Sequence, residues 1–317
     1  MKTISVVSPA YNEEENVRQC NERLKTIFAE HLPSYRLEHI FADNASTDRT
    51  PEILRAMADE DSDIKVIFNS RNFGPFRSLF NALKYATGDA VLVFLPVDLQ
   101  DPPELIPEFV HHWEQGIEVV AGARRNRKEA GWLKLSRFLF YRIVNALSDF
   151  DLPIDVGEFQ LVDRKVWAAM MEYHDHYPYV RGIIASVGFK RLIIPYEWGV
   201  RQRGSSKNNL PRLIDQALNG VFSFTNAPLR LSIYAGVAIA ALSVLYGLFA
   251  VLAHFFDPEV APPGVTTIIS AIFFLSAVQL IFIGVLGEYV TSIHAQVRRR
   301  PLVVERERLN IGARSPD

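Results

Sequence analysis

Two long runs without a charged residue place the strongest constraint on how this 317-residue chain can fold. One run extends from Leu231 to Ala253 and the other from Val265 to Gly287. Each has about 23 residues, enough for a helix to cross a hydrocarbon core of roughly 30 Å. Core helices of soluble proteins rarely run this long without a polar face. We therefore expect two membrane spans at about 231–253 and 265–287, with a pair of buried core helices as the alternative.

The residues that flank these runs predict their orientation. The connector from His254 to Gly264 has two carboxylates, three prolines and no lysine or arginine. The basic residues near the runs lie on the other side of both: Arg201, Arg203, Lys207, Arg212, Arg230, Arg298, Arg299 and Arg300. Because basic flanks stay in the cytoplasm, we expect a hairpin at 230–290 in the inner or plasma membrane. The preceding domain and the tail at 291–317 would then both be cytoplasmic.

The composition of the chain argues against two classes of protein, those that bind nucleic acid and those that depend on disulfides. A net charge of −2 provides no basic field for nucleic acid. The single cysteine, Cys20, cannot form a disulfide within the chain and fits a reducing compartment.

Residues 209–229 mix apolar side chains with polar ones such as Arg212, Asp215 and Asn219. This pattern predicts an amphipathic helix in the headgroup zone, with a helix packed on the soluble part as the alternative.

Residues 1–208 show the alternation of an α/β domain with a mostly parallel sheet. The expected strands are Ile4–Ser8, Leu37–Ala42, Lys65–Asn69, Ala90–Leu95 and Val119–Gly122. The expected helices between them are Glu14–Phe28, Thr50–Asp59, Pro75–Ala86 and Glu104–Gln115. No glycine fingerprint of a dinucleotide-binding fold and no Walker lysine loop is present in the sequence.

Polar side chains follow each of the first four expected strands. The clearest case is Val91–Glu104, in which an apolar run stops at Pro96 and is followed by Asp98, Gln100 and Asp101. Ligands of α/β sheets collect at the carboxyl ends of the strands. Asp98 and Gln100 supply the hard oxygen ligands that suit Mg²⁺ or Mn²⁺ on a diphosphate. We interpret Asp101 differently, as the N-cap of the next helix with Pro102 at its first position.

Three ordered motifs and two later features resemble a known family. The motifs are Pro9-Ala10-Tyr11-Asn12-Glu13, Asp43-Asn44-Ala45-Ser46-Thr47-Asp48 and Asp98-Leu99-Gln100-Asp101-Pro102-Pro103-Glu104. They are similar to those of inverting GT-A glycosyltransferases of family 2. The stretch from Arg201 to Lys207 and the paired C-terminal runs are similar to polyprenyl-phosphate hexose synthases of the dolichyl-phosphate mannose synthase type. The resemblance covers almost the whole chain and implies a GT-A nucleotide-sugar-binding domain.

The resemblance also implies a role for each matching residue. The nucleoside of the donor would lie against Pro9, Tyr11, Asn12, Glu13 and Asp43. The donor diphosphate would be bound by Arg201, Arg203 and Lys207, and a Mg²⁺ or Mn²⁺ ion on it by Asp98 and Gln100. The acceptor phosphate would face Arg124 and Arg137. Glu158, in a segment similar to a Gly-Asp-Phe-Arg element, would contribute an acidic group to the active site.

The implied reaction transfers a sugar from a nucleotide sugar, expected to be a UDP-hexose, to a polyprenyl phosphate such as undecaprenyl or dolichyl phosphate. A phosphate monoester has a second pKa of about 6, so its oxygen is anionic near neutral pH and needs little help from a base. Direct attack inverts the anomeric centre and gives a β-linked lipid sugar. Related membrane-anchored enzymes also suggest a homo-oligomer.

Four positions depart from the family pattern. Pro96 stands where the family often has an aspartate, Asn44 replaces a carboxylate, the acidic residue at 158 is a glutamate, and Gln160 stands where an arginine is usual. Because of Pro96 and Gln160, a non-catalytic membrane scaffold with a degenerate transferase domain is one alternative. A processive polysaccharide synthase is the other, although the Gln-x-x-Arg-Trp element expected of that class does not occur in the sequence.

Overall fold

A computed structural model describes residues 1–125, 156–175, 178–197, 227–256, 264–298 and 300–312. The strands are β1 (Lys2–Ala10), β2 (Tyr35–Asp43), β3 (Ile64–Asn69), β4 (Ala90–Leu92), β5 (Val119–Arg125), β6 (Val156–Asp163), β7 (Arg191–Glu197) and β8 (Glu305–Leu309). The helices are α1 (Val17–His31), α2 (Thr50–Glu60), α3 (Pro75–Leu83), α4 (Ile106–Glu114), α5 (Arg164–Met171), α6 (Val180–Ser186), α7 (Ala227–Phe256) and α8 (Gly264–Val297). Each of the expected strands and helices in the first 125 residues overlaps one of these elements.

The eight strands form one sheet in the order β7-β5-β6-β4-β1-β2-β3-β8. The pairs β1–β2, β1–β4, β2–β3 and β5–β7 are parallel. Only β6 and β8 run against their neighbours among the strands described. The expected α/β domain with a mostly parallel sheet is therefore confirmed.

The order of the strands creates a crevice at one edge of the sheet. From β1 the chain adds β2 and β3 on one side and then crosses to place β4 on the other side of β1. The loops after β1 and β4 consequently leave in opposite directions, and ligands of open α/β sheets bind at such a switch point. The loop after β1 contains Pro9–Glu13 and the loop after β4 contains Asp98.

Helices cover both faces of the sheet because its strands are continuous apolar runs. Val6, Phe41 and Leu92 lie in a buried cluster with α1, α2 and α4. Val7, Ile40 and Val91, which are their neighbours along the same strands, lie in a second buried cluster with α3, α5 and α6. Alternate residues of one strand point to opposite faces, so both faces need an apolar cover.

The two expected spans correspond to the helices α7 and α8, which have 30 and 34 residues. By length and composition, Ala271–Val297 in α8 can cross a membrane, and none of it is buried. Within the described part of the chain, Leu231–Ser243 in α7 is a shorter apolar stretch. The hydroxyl of Tyr289, near the end of α8, hydrogen-bonds the backbone of Leu229 at the start of α7. The two helices are therefore antiparallel neighbours.

The chain returns to the sheet after α8. Strand β8 pairs antiparallel with β3, and the amide of Ser70 donates to the carbonyl of Val304 over 2.9 Å. Arg55 and Glu307 form an ion pair at 2.7 Å. The sequence pattern predicted no element in 291–317, yet five of these residues form the strand at the edge of the sheet.

Candidate active site at the carboxyl edge of the sheet

The sheet brings the acidic and basic candidates to one edge. Asp43 is the last residue of β2, Asp98 follows β4, and Arg124 is near the end of β5. Strand β6 runs in the opposite direction, so Glu158, the third residue of that strand, lies at the same edge. Four residues that are up to 115 positions apart in the sequence thus lie at one edge of the sheet.

The loops after β1 and β2 are tied together by hydrogen bonds. Asn12 has a positive φ of 54°, and its side-chain oxygen accepts from the amide of Thr47 at 2.8 Å. Its own amide donates to the Ser46 hydroxyl at 2.9 Å. The amide of Glu13 likewise donates to the Thr50 hydroxyl at 2.9 Å. These bonds fix one wall of the crevice before a ligand is present, and Pro9 and Tyr11 are half-buried parts of that wall.

Asp43 is the buried carboxylate of this wall, with 2% of its surface exposed. Burial raises its pKa, and hydrogen bonds from Ser46 and Ala45 partly offset that effect. The Ser46 amide is 3.2 Å from the closer of its oxygens. A carboxylate can accept several hydrogen bonds, so Asp43 can accept one from an N–H of a ligand in addition to that from Ser46.

Asn44 connects this wall to the loop after β3. Its side-chain oxygen accepts from the amide of Phe73 at 2.9 Å and from Asn69 at 3.2 Å. Its side-chain nitrogen donates to Asn72 over 3.0 Å. An aspartate has no N–H to donate. The departure at position 44 therefore allows a neutral amide network in place of a second carboxylate.

The loop after β4 presents the expected metal ligands. Leu99 has a positive φ of 54°, and its amide donates to the carbonyl of Pro96 over 3.0 Å. The amide of Gln100 donates to the Asp98 carboxylate over 3.3 Å. This tight turn leaves both side chains partly exposed at the crevice.

The donor set of this loop fits a divalent cation that is shared with a phosphate ligand. In the described parts of the chain, no cluster of three or more His, Cys, Asp or Glu side chains could bind a metal ion without other ligands. Asp98 supplies one carboxylate oxygen and Gln100 one amide oxygen. Mg²⁺ is commonly held by one or two carboxylates together with substrate phosphates, so these residues suit that mode of binding.

Asp101 does not cap the helix, and the sequence interpretation of it was wrong. The turn that precedes α4 is a 3₁₀ turn over Pro103–Leu105, with Pro102 at its N-cap position and no side-chain cap. The Asp101 side chain is fully buried and binds Arg124 through both oxygens, at 3.1 Å to Nε and 2.9 Å to Nη2. A buried carboxylate needs a charged partner, and the capping pattern gave no sign of one 23 residues later.

Tyr196 completes this ion pair. Its hydroxyl donates to Asp101 and accepts from Arg124 Nε over 3.2 Å. Burial and the charge of Asp101 raise the pKa of Tyr196, so the hydroxyl stays protonated. Burial alone would lower the pKa of Arg124, but the charge and hydrogen bonds of Asp101 raise it above the usual value. Sequence reasoning missed Tyr196, because only the β5–β7 pairing places it beside Arg124.

Glu158 lies next to a second arginine that the sequence pattern did not single out. Arg181 Nε is 3.9 Å from the Glu158 carboxylate and donates to the Tyr179 hydroxyl over 2.6 Å. Gln160 is buried and donates to the carbonyl of Gly157 over 2.7 Å. The residue that departs from the family pattern at 160 therefore supports the backbone beside Glu158.

The remaining candidates cannot be placed. Arg137, Arg201, Arg203 and Lys207 lie outside the described residues. The expected interfacial helix at 209–229 lies outside them as well, apart from its last three residues, which begin α7.

Comparison with known families identifies the class of protein. The model of glycosyl transferase family 2 matches residues 5–169, which is just over half of the chain. The model of the GtrB C-terminal hairpin matches residues 227–293. The chain belongs to glycosyl transferase family 2. It is a glycosyltransferase with the GT-A fold and a C-terminal hairpin region, as its motifs led us to expect.

Two curated relatives span nearly the whole chain. The uncharacterized glycosyltransferase YkcC of Bacillus subtilis (strain 168) is 36% identical over 301 residues, which cover 95% of this chain and 92% of the relative. The prophage bactoprenol glucosyl transferase homolog of Escherichia coli (strain K12) is 34% identical over 299 residues, which cover 94% of this chain and 96% of the relative. Among solved structures, the mannosyltransferase PcManGT from Pyrobaculum calidifontis in complex with GDP-Man and Mn²⁺ is 17% identical, with a TM-score of 0.48 over 93% of this chain and 86% of that chain.

Proposed function

We propose that this protein transfers a sugar from a nucleotide sugar, a UDP-hexose, to a polyprenyl phosphate such as undecaprenyl or dolichyl phosphate. The product would be a β-linked polyprenyl-phosphate sugar. One observation carries the proposal: the Asp98 loop and Arg124 lie at the same edge of one sheet. A diphosphate can bind at the Asp98 loop and a monophosphate at Arg124. Relatives named bactoprenol glucosyl transferase support a polyprenyl acceptor.

The donor would occupy the crevice between the loops after β1 and β4. Pro9, Tyr11, Asn12, Glu13 and Asp43 would line the nucleoside pocket. Asp98 and Gln100 would hold a Mg²⁺ or Mn²⁺ ion on the diphosphate, and that ion would stabilise negative charge on the leaving group. Arg201, Arg203 and Lys207 would bind the same diphosphate.

The acceptor would approach from the side of β5 and β6. Its phosphate oxygen is already anionic near neutral pH, so the protein has little need to remove a proton. Its main task is to hold two anions, the acceptor phosphate and the donor diphosphate, close together. Arginine binds phosphate with two parallel hydrogen bonds, and Arg124 and Arg137 would do so here. Glu158 would orient the acceptor or a sugar hydroxyl.

The path of the chain supports the proposed membrane arrangement. Strands β7 and β8, which precede and follow the α7–α8 pair in the sequence, belong to the same sheet. A hairpin that crosses the bilayer twice would bring the chain back to the side of that sheet. Arg298 and Arg300 after α8 support a cytoplasmic location for the sheet and both termini. The exposed apolar faces of α7 and α8 also leave room for contact with a second copy, and we include a homo-oligomer in the proposal.

The test is transfer of labelled sugar to a defined lipid. Purified full-length protein in vesicles is incubated with undecaprenyl phosphate, Mn²⁺ or Mg²⁺ and a panel of radiolabelled nucleotide sugars. A labelled, β-linked lipid product is expected from one donor. If no donor labels the lipid with either metal while the protein remains folded, the proposal is wrong and the scaffold alternative is favoured.

A variant at Asp98 tests the donor site within the same assay. Asp98→Ala should reduce transfer by about 100-fold or more, because the leaving diphosphate loses its metal-bound stabilisation. Asp89→Ala is the matched control, since Asp89 lies before β4 at the opposite edge of the sheet and binds the Thr3 amide. Wild-type transfer by Asp98→Ala would contradict the metal assignment.

A further inference from the structure

Asp101, Arg124 and Tyr196 form a buried unit between the metal loop and the proposed acceptor site. Asp101 lies one residue after Gln100 and three after Asp98, on the same tight loop. Arg124 lies on β5, where the parallel register places it directly beside Tyr196 of β7. The unit therefore connects the loop that would hold the donor metal to the strand that would bind the acceptor phosphate.

The geometry fixes the guanidinium plane of Arg124. Asp101 accepts from Nε and Nη2, which is the two-bond arrangement that gives arginine pairs their directional preference. The backbone of Gly157 lies against the guanidinium group, since a Cβ atom there would be 3.5 Å from Cζ of Arg124. Arg124 has 16% of its side chain exposed, whereas Asp101 has none. Of the two partners in this ion pair, only Arg124 can therefore be reached from solvent.

The neighbouring residues make room for Tyr196 to reach Asp101. A Cβ atom at Gly122 would be 2.8 Å from the Tyr196 ring and 3.0 Å from the Phe159 ring. Such contacts are too short for any side chain, so glycine lets the ring cross the strand. Phe159 then packs edge-on against the ring, with 5.8 Å between centroids. The hydroxyl is held in place by the sheet itself.

We propose that Asp101 and Tyr196 are positioning residues that hold Arg124 in the orientation needed to bind the acceptor phosphate. This inference rests on the proposed function. The two residues do not contact the acceptor. They fix one edge of the guanidinium group and link its position to the loop of Asp98 and Gln100.

Two conservative variants test the proposal. Tyr196→Phe removes only the hydroxyl, and Asp101→Asn removes the charge with little change in shape. Both should lower kcat/KM for undecaprenyl phosphate by about tenfold or more, because small misplacements of a binding group are costly. KM for the nucleotide sugar should stay within about twofold of wild type, because the nucleoside wall is untouched.

The chain provides matched controls for both variants. Tyr35 is a buried tyrosine at the opposite edge of the sheet, and its hydroxyl hydrogen-bonds the Glu114 carboxylate. Glu38 is a buried carboxylate paired with Lys65. Tyr35→Phe and Glu38→Gln should change the unfolding midpoint but leave kcat/KM for the acceptor at the wild-type value.

A double-mutant cycle separates positioning from a structural effect. In an Arg124→Ala background, Asp101→Asn should have no further effect on kcat/KM for the acceptor and should raise the unfolding midpoint, because it removes an unpaired buried charge. The inference would be overturned if Tyr196→Phe had the wild-type kcat/KM for the acceptor. It would also be overturned if KM for the nucleotide sugar rose by the same factor as KM for the acceptor. Absence of transfer by the wild-type protein would instead overturn the proposed function, and this inference would fall with it.

Discussion

At the scale of single residues, Pro96 determines how the proposed metal would be bound. It occupies the position where the family often has a second aspartate, so Asp98 is the only carboxylate between Leu95 and Gln100. Mg²⁺ and Mn²⁺ then need oxygen ligands from elsewhere, and the donor diphosphate is the available source. Metal and nucleotide should consequently bind together.

Calorimetry can measure this dependence. We expect Mn²⁺ to bind the wild-type protein at least about tenfold more tightly when UDP is present than when it is absent. Pro96→Asp should raise the affinity for Mn²⁺ without UDP, because it adds a carboxylate two residues before Asp98. Pro102→Asp, on the same loop but beyond Asp101, is the control and should leave that affinity unchanged. Equal Mn²⁺ affinity with and without UDP would contradict the assignment.

Asp101 shows where residue-level reasoning from sequence ends. An aspartate followed by prolines before a helix is a good capping pattern, and it predicted the start of α4 to within a few residues. The same pattern does not indicate that the Asp101 side chain is buried. The partners of Asp101 lie on β5 and β7, and only the strand order brings them to the loop. By contrast, the placement of Asp43 and Asp98 at the carboxyl edge was predictable, because Asp43 ends the apolar strand β2 and Asp98 comes shortly after β4.

At the scale of elements, the first half of the sheet was predictable and the second half was not. Strands β1 to β5 are apolar runs and stand out in the sequence. Strand β8 reads Glu-Arg-Glu-Arg-Leu, which has the charge pattern of a solvated segment. It forms at a sheet edge because its backbone pairs with β3, while Glu307 pairs with Arg55 and Glu305 accepts a hydrogen bond from Asn81 on α3. Local pattern cannot reveal such a long-range pairing.

Strand β8 should be needed for the stability of the catalytic domain. Removal of residues 301–317 would expose the β3 edge and break the hydrogen bonds from Asn310 to the carbonyls of Ala58 and Ile64, at 2.7 and 2.9 Å. We expect the unfolding midpoint to fall by about 2–4 °C for each kcal/mol lost. Removal of 313–317 alone is the control. An unchanged midpoint after the longer truncation would show that β8 contributes nothing.

At the scale of the whole molecule, α8 extends from the proposed membrane region towards the sheet that carries the candidate site. A helix of 34 residues is about 51 Å long, whereas the hydrocarbon core is roughly 30 Å thick. If the span is the one expected from the sequence, 265–287, the excess is residues 288–297, where Gln296 donates to Asp175 over 2.9 Å. The same helix can therefore span the bilayer and hold the domain, after which β8 joins the sheet.

Labelling of single cysteines in intact cells tests the orientation of the whole molecule. Cys20 is fully buried, and burial raises the pKa of its thiol, so the natural chain should react little with a maleimide. Glu259→Cys, in the connector, should react with a membrane-impermeant maleimide in intact cells if the hairpin crosses twice. Ser62→Cys, exposed on the catalytic domain, should react only after the cells are made permeable. Reaction of Ser62→Cys together with protection of Glu259→Cys in intact cells would mean the opposite orientation. Protection of both there would mean that the hairpin does not cross the bilayer.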